Sequence, residues 1–412
     1  MSLLLTNIKA LLQVRKTCDT FIAGKQMQKL PKINDAFLLI GDDGKIVDYG
    51  EMSQCPQNVE KKIDLTGKFV FPAFNDSHTH LVYAGSREIE YIDKVKGLSY
   101  EEIAKRGGGI LNSAYKLHNT SESELYEQSL PRIAEVISQG TGAVEIKSGY
   151  GLTTKDEIKM LKVIRRIKET MPVEIKSNFL GAHAIPLQYK TNPDKYVDTI
   201  VNEMIPEIAK NGLADFIDVF CDRGFFTVEQ TERILKAGVE YGLIPKIHAN
   251  ELDFSGGIQV GVKYNALSVD HLEYLGEDEL RTLINTRTMP TVLPGASFFL
   301  GLPYAPARKM IDYGLPIAIA SDFNPGSSPS GNMKLMMSLA LINMKLLPEE
   351  IFNAVTINTA YAMGIEKEYG SITRGKWANL IVTKEIPTIE YFLYAYGSDL
   401  IDMVFLKGKN KI

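Results

Sequence analysis

The sequence predicts an α/β protein: a (β/α)8 TIM-like barrel with a small β-sandwich domain built from both chain ends. Three observations lead there. Eight short apolar runs recur through the middle of the chain, most of them separated by room for a helix. Polar residues, histidines above all, gather where those runs end. The two chain ends lack this alternation and read as short strands around tight turns. The implied boundaries are residues 1–66 with 366–412 for the small domain and 67–365 for the barrel.

Taken in order, Met1 to Lys9 carries no basic stretch ahead of its apolar residues, so it reads as a strand and not as a signal peptide. Ala36-Phe-Leu-Leu-Ile40 followed by Gly41-Asp-Asp-Gly44 is a strand with its turn. The expected barrel strands are Lys68–Phe74, Gly142–Lys147, Glu174–Leu180, Phe216–Cys221, Ile244–His248, Ala266–His271, Thr288–Leu293 and Pro316–Ser321. Between them, Thr154-Lys-Asp-Glu157 has the form of a capping box ahead of Ile158, Leu161, Ile164 and Ile167, which share one helical face. Thr227-Val-Glu-Gln230 opens a second helix that Gly242 can close. Past Ile365 come a turn, Gly370-Ser-Ile-Thr-Arg-Gly375, and strands at Asn379–Val382 and Met403–Leu406. The rival architecture is an open doubly wound sheet, but no phosphate-binding glycine motif supports it; Gly107-Gly-Gly109 reads as a flexible loop.

Composition excludes several functions. With 45% hydrophobic and 23% charged residues the chain is neither disordered nor fibrous. Its 46 Lys+Arg against 50 Asp+Glu, a net charge of -4, makes nucleic acid an unexpected partner. Cys18, Cys55 and Cys221 form no disulfide framework and no CxxC knuckle, which places the chain in a reducing cytoplasm. The most apolar stretch, Leu335–Met344, falls far short of the ~20 residues of a membrane helix, so a soluble protein is expected.

Five of the six histidines, His78, His80, His183, His248 and His271, fall at or just past expected strand ends; His118 does not. His78 and His80 are two apart on an extended segment and so point to one side, where they can share a metal ion. His248-Ala-Asn-Glu251 offers a further imidazole and, three residues on, a carboxylate able to carry a proton. Asp270-His271 ends strand six, and Asp322 follows the apolar run Ile317–Ala320, where a buried carboxylate requires a partner and a cation is the simplest one. Three imidazoles and one carboxylate describe a hydrolytic metal site, suited to zinc and equally to iron or manganese. A bridged two-metal site wants a shared ligand at the end of strand four; Cys221-Asp222 stands there and Lys147 ends strand two, so one ion per chain is expected.

These residues carry a resemblance. Phe71-Pro-Ala-Phe-Asn-Asp-Ser-His-Thr-His80 is similar to the strand-one signature of the metal-dependent amidohydrolase superfamily, and Gly370–Val382 resembles its C-terminal β return. Within it, Glu145-Ile-Lys-Ser-Gly-Tyr-Gly-Leu152, Phe179-Leu-Gly-Ala-His183, Asp270-His-Leu-Glu273 and Ser321-Asp-Phe-Asn-Pro-Gly-Ser-Ser-Pro329 resemble the branch that opens 4-imidazolone-5-propanoate to N-formimino-L-glutamate in histidine degradation. The resemblance spans essentially the whole chain. It implies metal ligands at His78, His80, His248 and Asp322, with zinc or iron, divalent or trivalent, as the ion. It implies proton handling by Glu251 and His271 beside Asp322, and substrate contacts from Arg87, Tyr100, Tyr150, His183, Glu251, Asn324, Gly326 and Ser327. The partner is then a small-molecule substrate, with homodimerisation left open. Ser77 and Asn250 depart from the usual residues beside the ligands and bear on metal affinity. Two other functions stay open: a metal-dependent deaminase of an aminated heterocycle, and a non-catalytic relative, whose usual mark of missing ligands is absent.

Overall fold

The structure is a computed structural model that describes residues 2–17, 19–98 and 108–411. The first sheet is built from β1 (Leu3–Leu12), β2 (Lys32–Ile40), β3 (Ile46–Glu51), β4 (Lys61–Asp64) and β5 (Phe69–Pro72). The second, all parallel, runs in chain order through β6 (Phe74–Thr79), β7 (Thr141–Lys147), β8 (Glu174–Ala182), β9 (Phe216–Cys221), β10 (Ile244–Ala249), β11 (Ser268–His271), β12 (Met289–Val292) and β13 (Ala318–Ile319). The chain then returns to the first sheet with β14 (Leu380–Thr383), β15 (Ile401–Leu406) and β16 (Lys409–Asn410).

The parallel sheet closes on itself: Thr79 bridges Phe323, the His80 N–H donates to the Phe323 carbonyl at 2.9 Å, and the Asp322 N–H donates to the His78 carbonyl at 2.9 Å. Helices, among them Thr154–Thr170 and Val228–Glu240, cover the outside, giving an eight-stranded barrel. Below the seam, the Asp76 carboxylate on β6 takes both the N–H and the hydroxyl of Ser321, pinning the end of β13 to β6.

The other sheet runs β16-β15-β14-β5-β1-β2-β3, with β4 added in parallel to β1. Its own core includes Leu5, Ile8, Leu38, Val70, Leu380 and Phe405. Hydrogen bonds between Ile46 and residues 375 and 376 tie the start of β3 to the segment leading into β14, so this sheet also bends back on itself.

One expected strand is corrected. Lys68–Phe74 does not form barrel strand one; it straddles two sheets, because an unbroken apolar run says that both faces are covered but not by what. The handover falls at Ala73, whose N–H goes to the Asn379 carbonyl of the small sheet, whereas the Phe74 N–H goes to Gly140 at the foot of the barrel. Gly142 sits at this junction, where a Cβ would lie 2.7 Å from that of Ala73. A second correction concerns the helix Thr154–Thr170, which is capped by Thr153 and not Thr154: the Thr153 hydroxyl accepts the Asp156 N–H. Glu157 is thereby released for another task. The box at Thr227 and Gln230 forms as expected, and Gly242, at φ 84°, follows that helix.

Candidate metal centre

Extended geometry carries His78 and His80 to one side of the end of β6. Around them the ends of β10 and β13 deliver His248 and Asp322. His78 Nε2 lies 3.4 Å from Asp322 Oδ1, His80 Nε2 lies 3.6 Å from the same oxygen, and His248 Nε2 lies 3.5 Å from His80 Nε2. Donors 2.0–2.1 Å from an ion at the centre of a tetrahedron stand about 3.3–3.4 Å apart, so the spacing of His78, His80 and Asp322 fits one small transition-metal ion, with His248 beside His80 as the fourth candidate. His78 Nε2 is buried and lacks a hydrogen-bond partner, as an atom reserved for a ligand bond should. Burial holds His78 and His80 well below the usual imidazole range, hence neutral and able to ligate.

The opposite nitrogens of His78 and His248 are tied down, whereas His80 Nδ1 has no hydrogen-bond partner among the described residues. His78 Nδ1 pairs with Asp270 Oδ2 at 2.7 Å, and His248 Nδ1 pairs with Asp218 Oδ1 at 3.0 Å. Such carboxylate–imidazole pairs fix tautomer and ring orientation. Ser327 donates to Asp322 Oδ2 at 2.9 Å, leaving Oδ1 facing the histidines.

His271 also approaches His78 and His248 closely enough to complete an alternative three-histidine set. Its carboxylate neighbours set it apart: burial disfavours the imidazolium, but the Glu251 and Glu273 carboxylates outweigh this and push it up to about 10, which suits the ring to donating a hydrogen bond. His271 Nε2 stands 3.6 Å from Glu251 Oε2, and burial pushes the Glu251 carboxyl up to about 7 against the pull of His271.

Glu251 is held from behind by Asp222, just past the end of β9. Asp222 Oδ2 accepts the N–H groups of Glu251 and Leu252 at 2.8 and 3.0 Å. Asn250 turns its amide away from the ligands, toward the Tyr274 carbonyl and Ser255. Asn250, His271 and Asp322 all adopt left-handed φ, a concentration of uncommon backbone at the strand ends.

The remaining expected residues that the structure describes gather at the same mouth. His183 stacks on His80, with ring centroids 5.0 Å apart, and lies 5.3 Å from the Tyr150 ring. The Tyr150 loop is held by Glu157, whose carboxylate accepts the N–H groups of Gly149, Gly151 and Leu152 at 2.7–3.0 Å. Glu157→Gln replaces one acceptor oxygen of this buried nest by a donor; an expected loss of ~1–3 kcal/mol, with a raised KM, is checked by denaturant melts and steady-state kinetics. Asn324 accepts the N–H groups of Gly326 and Ser327 and donates to the Asp322 carbonyl and the Ser327 hydroxyl, so it shapes the turn after Asp322. Arg87 pairs with Glu90 at 2.8 Å, and Glu90 is fixed in turn by the Gly109 N–H and Asn112. The guanidinium lies directly over Gly326, where a Cβ would fall 2.1 Å from Nη1. Arg87 and Gly326 share the wall of a 420 Å³ cavity with Tyr83, Tyr91 and Phe299. Tyr100, Cys18 and Gly107 lie outside the described residues. His118 stands apart and pairs with Asp156.

A closed β/α barrel whose strand ends bring His78, His80 and Asp322 within reach of one ion, with His248 beside His80, defines a metal-dependent hydrolase of the amidohydrolase type. The profile of the Amidohydrolase family matches residues 69–411. Imidazolonepropionase from Christiangramia forsetii is 55% identical over 99% of this chain and 100% of its own length. Imidazolonepropionase from Flavobacterium johnsoniae is 55% identical over 98% and 99%. A triazine hydrolase variant shares the fold, with a TM-score of 0.76 at 15% identity over 100% of this chain and 94% of that one. The chain belongs to the amidohydrolase family and, within it, to the imidazolonepropionases. No helix among the described residues is long and apolar enough to cross a membrane.

Proposed function

We propose that this enzyme hydrolyses the ring amide of 4-imidazolone-5-propanoate to N-formimino-L-glutamate, the ring-opening step of histidine degradation. The observation that carries the reading is the gathering of His78 and His80 within 3.4–3.6 Å of Asp322 Oδ1 and of His248 at 3.5 Å from His80, with Glu251 and His271 beside them. When bound by these four residues, zinc or iron supplies Lewis acidity and lowers the pKa of a water toward ~7. The chain's own groups do the rest. Glu251, poised near neutrality, takes the proton of the attacking water and delivers it to the ring nitrogen as the C–N bond breaks. His271 donates to the carbonyl oxygen as negative charge develops there.

Specificity rests on Arg87, Tyr100, Tyr150, His183, Asn324, Gly326 and Ser327. Glu90 steers the Arg87 guanidinium over Gly326, from where it pairs with the propionate carboxylate. Arg87→Met is expected to bind metal normally and lose about 30-fold or more in kcat/KM, the ~2–5 kcal/mol of a desolvated anchor. A ring analogue without the carboxylate should show little loss, and equal losses on both would assign Arg87 to the fold.

The reading includes one ion per chain, because Lys147 is engaged below the site by Glu145 and Asp218 and the two candidate ligand sets overlap at His78. Elemental analysis after exhaustive dialysis should return close to one equivalent; two would contradict it. It also includes a cytoplasmic setting, a small-molecule substrate and no nucleic acid, with homodimerisation left to solution measurement. The chemistry is assigned to residues 67–365, and the small domain of residues 1–66 and 366–412, joined by Phe69–Pro72, is assigned a supporting role. The decisive assay mixes metal-replete protein with freshly generated imidazolone propionate. Loss of its ultraviolet absorbance with appearance of formimino-glutamate is expected; release of ammonia from an aminated heterocycle would favour a deaminase instead.

A further inference from the structure

Beneath the candidate centre lies a fully buried charge cluster that the proposed chemistry does not use. Lys147 and Glu145, two apart on β7, both face the barrel interior, as do Asp218 on β9, Lys246 on β10 and Asp270 on β11. The two lysines divide this space. Lys246 serves Glu145 and the carbonyls of Ser77 and Ala362. Lys147 donates to Glu145 Oε1 and Asp218 Oδ2, each at 2.7 Å, and lies 3.6 Å from Asp270 Oδ2. Among the described residues it is the one cation paired with both Asp218 and Asp270, the carboxylates that hold His248 and His78.

We infer that Lys147 is a positioning residue for the metal centre: its ammonium clamps Asp218 and Asp270 so that His248 and His78 present Nε2 to one point. Other partners hold each carboxylate only in part, Asn178 on Asp218 Oδ2 at 3.0 Å and Ser268 on Asp270 Oδ1 at 2.6 Å. Neither spans the pair. Without the shared cation, two buried carboxylates lose their common partner and are free to turn, and each carries an imidazole with it. The inference rests on His78 and His248 being ligands.

The test reads metal binding and not turnover. Full-length protein stripped of metal is titrated with Co²⁺ in competition with a chromogenic chelator, and the visible absorption of the Co²⁺ complex is recorded. Lys147→Met is expected to weaken Co²⁺ binding 10–100-fold and to shift the visible bands. Asp218→Asn should weaken it as well, and Lys147→Met/Asp218→Asn, which removes one charge of each sign, should bind a few-fold worse than Asp218→Asn alone, because Asp270 also loses its cation, yet by less than the product of the two single losses, because the Asp218 link is shared. Should Lys147→Met fail to fold, the comparison of the charge-balanced double variant with Asp218→Asn decides. A wild-type Kd and spectrum in Lys147→Met, a double variant that binds Co²⁺ as Asp218→Asn does, or single losses that simply multiply in the double variant would each overturn the inference. If wild-type protein itself binds no Co²⁺, the ligand assignment falls and this inference with it.

Discussion

Asp322→Ala is expected to abolish both retained metal and turnover, read by elemental analysis after dialysis and by the imidazolone assay. Three of the four proposed ligands are neutral imidazoles; Asp322 alone brings charge, and its Oδ1 stands between His78 and His80. Its position carries a second cost. Asp322 has φ 54°, where alanine is strained by roughly 1–2 kcal/mol, and its carboxylate accepts from Ser327. Asp322→Asn separates the two effects, since asparagine tolerates the left-handed region and keeps the shape. It should fold as the parent does and still lose most of its metal. Stoichiometric metal in Asp322→Ala would remove Asp322 from the ligand set.

Glu251→Gln is expected to do the reverse: metal and fold retained, kcat lower by ~100-fold or more, as when a general base is lost. The side chain should stay in place because Asp222 holds the Glu251 backbone N–H, a bond that the substitution does not touch. What changes is basicity, which burial has moved to about 7 in the parent. Loss of metal with normal activity per remaining ion would make Glu251 a ligand or a support for one. A stable fold with unchanged kcat would move the proton transfer to another group.

The ends of the barrel strands were legible because each combines an apolar run with an abrupt polar residue, and that contrast survives any uncertainty in the exact strand limits. The layer below them was not. Asp76, Asp218, Asp270 and Lys147 sit inside or at the end of buried strands, Asp218 between apolar neighbours in Phe216-Ile-Asp-Val-Phe220 and Asp76 between Asn75 and Ser77. The signal was present: a carboxylate within such a run must be paired, an argument applied to Asp322 and equally valid for the other three. Glu157 was hidden differently. Three residues beyond Thr154 it mimics a capping box, whereas its carboxylate closes the loop that holds Tyr150. Periodicity assigned Lys68–Phe74 to a strand correctly and to the barrel wrongly, since both sheets bury their strands on this side.

The seam between β6 and β13 has a consequence for how the chain matures. Asp76 and Ser321, which fasten it, are 245 residues apart, and the proposed ligands lie on both sides of the same join. During synthesis His78 and His80 emerge long before Asp322, so an incoming ion at first meets only a partial set of donors. The loop between them must be drawn in by the packing of the intervening strands, and the entropy of closing so long a loop exceeds that of a short one by only a few kcal/mol. The complete set exists only once the barrel has closed. An ion held by it would act as a latch on a finished barrel, adding stability in proportion to the logarithm of its free concentration.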